Sequence, residues 1–292
     1  MKRIANLFLM FLFFTVSCTP VAQVPPVPDL ENPTLTPVFF PNPTITMTPL
    51  PVATATPGST PTIVPTFNPI RKTPPTLMLH RPNLRFDSLA FLKEFVRILQ
   101  QNDMHVVTYQ EISKHPEMTA TEQGKLFIIT IDDISLAYPM THDVLEMIDV
   151  LQGAGYPAVL GVVTQTDYPS PKNVERLRKL SELGWEIASH TDTHANLGKL
   201  EKASAKLVYD EVSISLDKIE KSIGIRPITL VLPEGQMVDY RETLDNMDLH
   251  WVVGINGGVT YDSQDEIMYV GREGPDKNAE YTYKIMKMRF DF

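Results

Sequence analysis

Strand-like and helix-like segments alternate between residues 77 and 255, and this alternation restricts the fold more than any other feature of the chain. The predicted strands are the short apolar runs Leu77–His80, His105–Thr108, Phe127–Asp133, Ala158–Val163, Trp185–Ala188, Ile228–Leu232 and Trp251–Ile255. The predicted helices are Ser88–Gln101, Pro139–Gln152, Lys172–Leu183, Leu200–Ile223 and Asp239–Met247. Alternation of this kind predicts an α/β fold, a parallel sheet with crossover helices, open or closed into a barrel. The tail from Tyr281 to Phe292 alternates apolar and polar residues, which predicts a terminal strand.

Two of the predicted strands lead into ionisable side chains. The run 127–133 ends in Asp132 and Asp133, and the strand at 185–188 leads into His190 and His194, which lie four residues apart. Ligands gather at the carboxyl ends of parallel strands, so we expect these side chains to meet there. One carboxylate and two imidazoles suit Zn²⁺ or a similar divalent ion, and the other aspartate is then placed to take a proton from water. In the alternative, the histidines are surface loop residues and the aspartates form a helix cap and a turn.

The net charge argues against one class of partner. The chain has 292 residues and a formal net charge of -9, with a pI near 5.3. An acidic chain lacks the excess of lysine and arginine that supplies most of the affinity for nucleic acid, so no nucleic acid partner is expected.

The N-terminal region differs in composition from the rest of the chain. Residues 1–18 have a basic start, a short apolar core and small residues before Cys18, the single cysteine of the chain, so no intramolecular disulfide can form. The pattern resembles a bacterial lipobox, which implies a lipid on the Cys18 thiol and an extracytoplasmic protein anchored to the membrane. The alternatives are an ordinary signal peptide, with a secreted product, or an uncleaved anchor. Residues 19–75 are rich in Pro and Thr and predict a disordered, extended linker, followed by a globular domain over 76–292.

At the two ionisable motifs the sequence resembles a known family. Ile129-Thr130-Ile131-Asp132-Asp133 is similar to the T-F-D-D motif of the polysaccharide deacetylases, carbohydrate esterase family 4, and the segment from His190 to Leu197 is similar to their H-[ST]-x-x-H-x-x-L motif. The resemblance implies a distorted (β/α) barrel with fewer than eight repeats. It also implies Asp132 as catalytic base and Asp133, His190 and His194 as ligands of Zn²⁺ or another divalent metal such as Co²⁺ or Ni²⁺. The implied reaction is hydrolysis of N-acetyl groups on a cell-wall or extracellular polysaccharide, which releases acetate.

The sequence departs from the family pattern at two places. The segment 231–235 keeps Pro233 and Gly235 of the R-x-P-x-G motif but lacks the arginine that orients the base; Arg226 and Arg272 are candidates to replace it. The late Leu-x-His motif that supplies the acid is missing. Leu79-His80-Arg81 resembles the early Y-H segment of rearranged members, which predicts His80 as the acid that protonates the leaving amine. In the alternative, His80 only caps a strand.

The remaining predictions concern substrate contacts and activity. Pro233, Gly235 and Trp251 are predicted to bind substrate, although Trp251 also suits a buried core position. Tyr168 and Tyr240 follow predicted strands and are further candidate contacts. Two other functions stay open beside the deacetylase: a glycan-binding lipoprotein with a degenerate site, weakly active or inactive, and an O-acetyl esterase.

Overall fold

The computed structural model describes residues 71–83, 85–118, 124–235, 241–244, 247–255, 260–261, 267–290 and 292. The predicted signal peptide at 1–18, with Cys18, and residues 19–70 of the predicted linker lie outside the described residues, as does Tyr240. Among the helices that are described, none has the length and apolar character needed to span a membrane.

Seven parallel strands form the main sheet of the described residues. In chain order, the described residues form ten strands: β1 Arg71–Lys72, β2 Thr76–Leu79, β3 His105–Val106, β4 Leu126–Ser135, β5 Val159–Val163, β6 Glu186–Ser189, β7 Thr229–Val231, β8 Trp251–Gly254, β9 Thr260–Tyr261 and β10 Met268–Gly271. The main sheet has the order β10-β8-β7-β6-β5-β4-β2, and β3 pairs with β4 beside it. β1 pairs antiparallel with β9, so the last residues of the predicted linker are bonded to the domain.

The sheet curves until its two edges nearly meet. The Met78 amide donates to the Glu273 carbonyl at 2.8 Å, and the Glu273 amide donates to the Thr76 carbonyl at 2.9 Å, which joins β2 to the residues just after β10. The predicted barrel with fewer than eight repeats is confirmed. Because β10 is brought beside β2, residues far apart in the sequence share one interior.

Helices follow most of the strands. Their bounds are α1 Ser88–Gln101, α2 Tyr109–Lys114, α3 His142–Gly153, α4 Pro171–Glu182, α5 Leu197–Ala203, α6 Ala205–Ile223, α7 Arg241–Leu244 and α8 Ala279–Phe290. The single helix predicted over 200–223 is wrong at its start, because Ser204 interrupts it. The Ser204 backbone is extended and its hydroxyl accepts from the Lys206 amide, which ends α5 and caps α6.

The tail is a helix, and the predicted terminal strand is wrong. Ala279, Thr282, Met286 and Phe290 are buried on one face of α8, spaced by three or four residues as a helix requires. The Tyr283 ring packs on Phe95 of α1, with 6.2 Å between ring centroids. Burial against α1 therefore decides the conformation of a segment whose local pattern also fits a strand.

Side chains of β4 alternate between two sides of the sheet. Phe127, Ile129 and Ile131 pack with the helices outside the barrel, whereas Leu126 and Ile128 belong to a second apolar cluster with residues of β5 to β8 and β10. The period of two places Thr130 and Asp132 next along the inner row. The barrel interior thus changes from apolar to polar toward the carboxyl ends of the strands.

Candidate active site

A β-bulge turns two adjacent aspartates toward the carboxyl end of the barrel. The pairing of β4 with β5 shifts register between Ile131 and Ile134, and Asp133 has a φ of 61°. A bulge breaks the strict alternation of side chains, and aspartate is among the residues that tolerate a left-handed backbone. Asp132 and Asp133 therefore both line one pocket, although they are neighbours in the sequence.

The loop after β6 supplies two histidines. The His190 Nδ1 lies 2.8 Å from the Val231 carbonyl oxygen, to which it donates, so Nε2 is free to act as a ligand. His190 is buried, and its Nε2 has no hydrogen-bond partner among the described residues. Thr191 and His194 have φ angles of 65° and 60°. Such backbone strain in non-glycine residues is concentrated at functional sites.

Asp133, His190 and His194 fit a divalent metal ion. The Asp133 Oδ1 lies 3.5 Å from His190 Nε2 and 3.1 Å from His194 Nε2. The candidate ligand atoms all lie within 4.8 Å of one another. Tetrahedral Zn²⁺ with bonds of about 2.0–2.1 Å separates its ligand atoms by about 3.3 Å. The two carboxylate–imidazole distances, 3.1 and 3.5 Å, are close to that separation. The buried Nε2 of His190, which has no partner among the described residues, is available as a ligand.

Helix α6 holds the histidine loop in its strained conformation. The Glu211 carboxylate accepts from the Thr193 amide at 2.5 Å and from the Thr193 hydroxyl at 2.9 Å. Lys218 donates to Asp192 at 3.0 Å. These contacts tie the residues between the two histidines to a long, packed helix.

A buried arginine from the other side of the barrel contacts Asp132. The Arg272 Nη1 donates to Asp132 Oδ1 at 2.8 Å, to Asp132 Oδ2 at 2.9 Å and to the Thr130 hydroxyl at 2.7 Å. Of the two candidates from the sequence, Arg272 is thus the one beside the aspartate, whereas Arg226 pairs with Asp217 and Glu220 on the surface. No local signal distinguished them, because the contact depends on β10 meeting β2.

The two aspartates are both held in the ionised form. Burial is the largest single effect and opposes ionisation of Asp132, but the charge and hydrogen bond of Arg272, together with His190 and His80, outweigh it and the pKa of the carboxyl is lowered. The neighbouring His190 side chain is the largest cause that lowers the pKa of Asp133, to about 2, against the effect of its partial burial. A buried, ionised Asp132 can accept a proton, and an ionised Asp133 can bind a cation.

His80 lies at the mouth of the same pocket. It directly follows β2, its side chain is 42% exposed, and its Nε2 lies 3.8 Å from Asp132 Oδ2, which is longer than a hydrogen bond. The pocket has a volume of about 230 Å³. Its lining residues are Met78, His80, Asp132, Asp133, His190, His194, Leu232, Glu234, Gly235, Ile255 and Arg272. All five residues predicted for catalysis and metal binding thus come together in one pocket.

The segment after β7 contributes part of the pocket wall. Gly235 lines the pocket with a φ of 63°, and a Cβ there would lie 2.6 Å from Ile255 Cγ2, so glycine is required. Pro233 is buried and is not among the lining residues. Glu234, for which the sequence predicted no role, lines the pocket. Its carboxylate forms an ion pair with Lys199 at 3.5 Å.

Trp251 lies away from the pocket, and its predicted role as a wall for substrate is corrected. The side chain is fully buried. Its Nε1 donates to the Ser113 hydroxyl at 2.8 Å, and its ring packs on Tyr109 with 5.0 Å between centroids. As the first residue of β8, it fills the amino end of the barrel interior, which is the core position that the sequence also allowed.

Comparison with known proteins adds to this geometry. Residues 119–250 match the model of the family described as polysaccharide deacetylase. Over this segment the chain is similar to the polysaccharide deacetylases. The matched segment contains Asp132, Asp133, His190 and His194, whereas His80 and Arg272 lie outside it. No curated protein matches the chain.

Several solved structures share the fold of this chain. The Streptococcus pyogenes deacetylase PplD, solved with acetate, has a TM-score of 0.59 and 16% identity over 74% of this chain and 99% of its own. IcaB from Ammonifex degensii has a TM-score of 0.58 and 16% identity over 74% and 96% of the two chains. A de-N-acetylase from Aggregatibacter actinomycetemcomitans has a TM-score of 0.56 and 20% identity over 73% and 98%. At these identities the likeness shows the fold.

Proposed function

We propose that this protein is a metal-dependent deacetylase that removes N-acetyl groups from a cell-wall or extracellular polysaccharide. The observation that carries the proposal is a single pocket in which three metal-type ligands lie beside a buried aspartate that Arg272 keeps ionised. The family match over 119–250 supports a hydrolase that acts on acetyl groups. Asp133, His190 and His194 would hold the ion, and Zn²⁺, Co²⁺ or Ni²⁺ suits this ligand set.

The residues of the pocket divide the chemistry between them. A bound divalent ion supplies Lewis acidity and lowers the pKa of water. Asp132 takes a proton from the water that adds to the acetyl carbon, with Arg272 and Thr130 fixing the orientation of the carboxylate. His80 gives a proton to the leaving nitrogen as the C–N bond breaks, which releases acetate and a free amine. The base and the acid are separate groups on β4 and just after β2, as the two proton transfers require.

Arg272 bears on the choice between catalysis and binding alone. The missing arginine of the 231–235 motif by itself favours a glycan-binding protein with a degenerate site. The contact of Arg272 Nη1 with both carboxylate oxygens of Asp132 supplies a guanidinium at the base by another route. An O-acetyl esterase would use the same groups, because the water from which Asp132 takes a proton can add to an ester carbonyl as well, and His80 can protonate the leaving oxygen.

The test measures acetate release by the full-length protein from N-acetylglucosamine oligomers and from an O-acetylated xylan. The protein is first stripped with a chelator and then supplied with Zn²⁺, Co²⁺ or Ni²⁺. We expect release from the N-acetylated oligomers only after metal is restored, with His80→Gln reducing it and the matched variant His142→Gln, exposed at the start of α3, leaving it unchanged. Release from the ester alone would favour the esterase, and metal binding with no release from either would favour the binding protein.

We further propose that the protein is anchored outside the cytoplasm through a lipid on Cys18. The support is the order of basic, apolar and small residues in 1–18 and the absence of any other cysteine in the chain. Mass spectrometry of the membrane fraction should detect a lipidated N-terminus at Cys18. The variant Cys18→Ser should lose the lipid and move to the soluble fraction; a soluble, unlipidated wild-type product would contradict the anchor.

A further inference from the structure

The pocket is small for a polymeric substrate. Its volume of about 230 Å³ is below the range of roughly 300–1,000 Å³ that is usual for ligand pockets. If the protein acts on a polysaccharide, as proposed above, the pocket receives the reacting acetylated sugar and the rest of the chain lies on the surrounding loops. The inference below rests on that proposed function.

Two tyrosines are exposed on the loops that leave the carboxyl ends of β4 and β5. Tyr138 is 75% exposed and Tyr168 is 88% exposed. The other large apolar side chains that are exposed in the described residues lie on helices or at their ends, namely Leu183, Leu207, Tyr209, Ile214 and Met288. Exposed aromatic rings beside a pocket cost hydration free energy in the free protein and are typical of interaction surfaces.

Buried Asn173 of α4 holds the loop of Tyr138 in place, and this loop is bonded to the loop of Tyr168. Its Nδ2 donates to the Ser135 carbonyl at 2.8 Å and to the Tyr138 carbonyl, and its Oδ1 accepts from the Met140 amide at 3.2 Å. The Ser170 amide donates to the Leu136 carbonyl at 2.9 Å, which joins the two loops directly. The rings are therefore presented by fixed backbone, and little ordering is needed when a ligand binds.

The same loops are continuous with the pocket. Tyr138 follows Asp133 by five residues along β4 and its loop. The Thr164 hydroxyl, just after β5, donates to Asp192 at 2.7 Å, between the two histidines. Lys218 bridges Asp192 and Asp167, the residue before Tyr168, at 3.0 and 3.5 Å. β5 lies between β4 and β6 in the sheet, so the loops that carry both tyrosines leave the same end of the sheet as the aspartates and histidines, from neighbouring strands.

We propose that Tyr138 and Tyr168 form a stacking platform for pyranose rings of the substrate polysaccharide beyond the sugar in the pocket. The flat face of a tyrosine ring suits the C–H face of a pyranose, and its hydroxyl suits a sugar hydroxyl. Such a platform selects for length, because only oligomers that extend out of the pocket reach it.

The test compares kcat and KM of the full-length, metal-loaded protein on an N-acetylglucosamine disaccharide and on longer oligomers. We expect Tyr138→Ala and Tyr168→Ala to raise KM on the longer oligomers by about 3- to 10-fold, in line with the usual strength of aromatic contacts, with kcat and the disaccharide reaction unchanged. The conservative variants Tyr138→Phe and Tyr168→Phe should retain most of the length preference. Tyr209→Ala, exposed on α6, is the matched control.

Equal losses on short and long substrates, or no loss on either, would overturn the platform. A different result would refute the proposed deacetylase activity: the wild-type protein would release no acetate from any oligomer. In that event, calorimetric titration with the same oligomers still tests the platform. Affinity that falls in the Tyr→Ala variants supports it, and unchanged affinity, or no binding by the wild type, overturns it.

Discussion

Each end of the barrel buries a carboxylate, and the two carboxylates have pKa values shifted in opposite directions. Asp132, near the carboxyl end of β4, faces Arg272 and has a lowered pKa. Glu186, the first residue of β6, lies at the amino end; burial raises its pKa, although hydrogen bonds from Thr229 and from the Gln110 and Tyr109 amides act against this. Similar burial thus yields an ionised group beside a guanidinium and a more readily protonated one among neutral donors.

The surroundings of the two carboxylates also differ, in backbone strain and in the pairing of polar atoms. Around Asp132 lie an open pocket, strained backbone at Asp133, Thr191 and His194, and an orphaned histidine nitrogen. Around Glu186 the polar groups are paired within the fold, and Trp251 and Tyr109 fill the nearby interior. Backbone strain and an unpaired histidine nitrogen around Asp132, and a Glu186 carboxylate that is hydrogen-bonded within the fold, indicate that the carboxyl end carries the chemistry and that Glu186 supports the fold.

The largest expected difference between the ends is in catalysis. Asp132→Asn removes the proposed base and should lower kcat/KM for acetate release by about 10²–10⁴-fold. Glu186→Gln, an equally conservative change at the other end, should leave kcat/KM within about 2-fold, since it lies at the opposite end of the barrel from the pocket. Equal effects of the two substitutions on acetate release would break the distinction between the ends.

The next effect concerns the buried ion pair. Arg272→Met leaves the Asp132 charge buried without its partner and should lower the free energy of unfolding by about 3–5 kcal/mol. Arg226→Met, at an exposed ion pair, should cost about 0–1 kcal/mol. Urea unfolding at neutral pH measures both. Adding Asp132→Asn to Arg272→Met should recover part of the loss; a fully additive loss would show that the two residues are not coupled.

Metal binding gives a test that is independent of activity. His194→Ala removes one of the three proposed ligands. Loss of a group that only hydrogen-bonds to a ligand weakens metal binding by up to about 100-fold, so the Kd for Zn²⁺ should rise by at least about that factor. Competition with a chromophoric chelator measures this Kd, and His142→Ala is the control at an exposed histidine. An unchanged Kd in His194→Ala would remove this histidine from the ligand set.

The smallest effect is the pH dependence of stability at the amino end. Glu186 has a native pKa above its ordinary value of 4.5, so above this pH the native state holds a proton that the unfolded state has released. The free energy of unfolding should therefore fall as the pH rises from the unfolded pKa to the native pKa, by up to about 1.4 kcal/mol per pH unit. Glu186→Gln should flatten this fall in urea unfolding over the same pH interval. Parallel wild-type and variant profiles would contradict the assignment.

Local sequence was sufficient to predict the positions of Asp132, Asp133, His190 and His194. An apolar run that ends in acidic residues predicts a buried strand and its end, and parallel strands present their carboxyl ends at one edge. The early His80 was predicted from the resemblance to the Y-H segment, and the structure places it in the same pocket. The tail helix α8 and the break at Ser204 were missed, because packing on α1 and a cap outweighed the apparent periodicity.

What the sequence determined by itself is the α/β alternation and the chemistry available at the strand ends. Only the tertiary structure decided which arginine meets the base, since Arg272 lies 140 residues from Asp132 and reaches it through closure of the barrel. It also decided that Trp251 belongs to the core and that Asp133 turns toward the histidines. These outcomes depend on register, a bulge and the meeting of β2 with the end of β10, which are long-range properties that no local pattern of residues encodes.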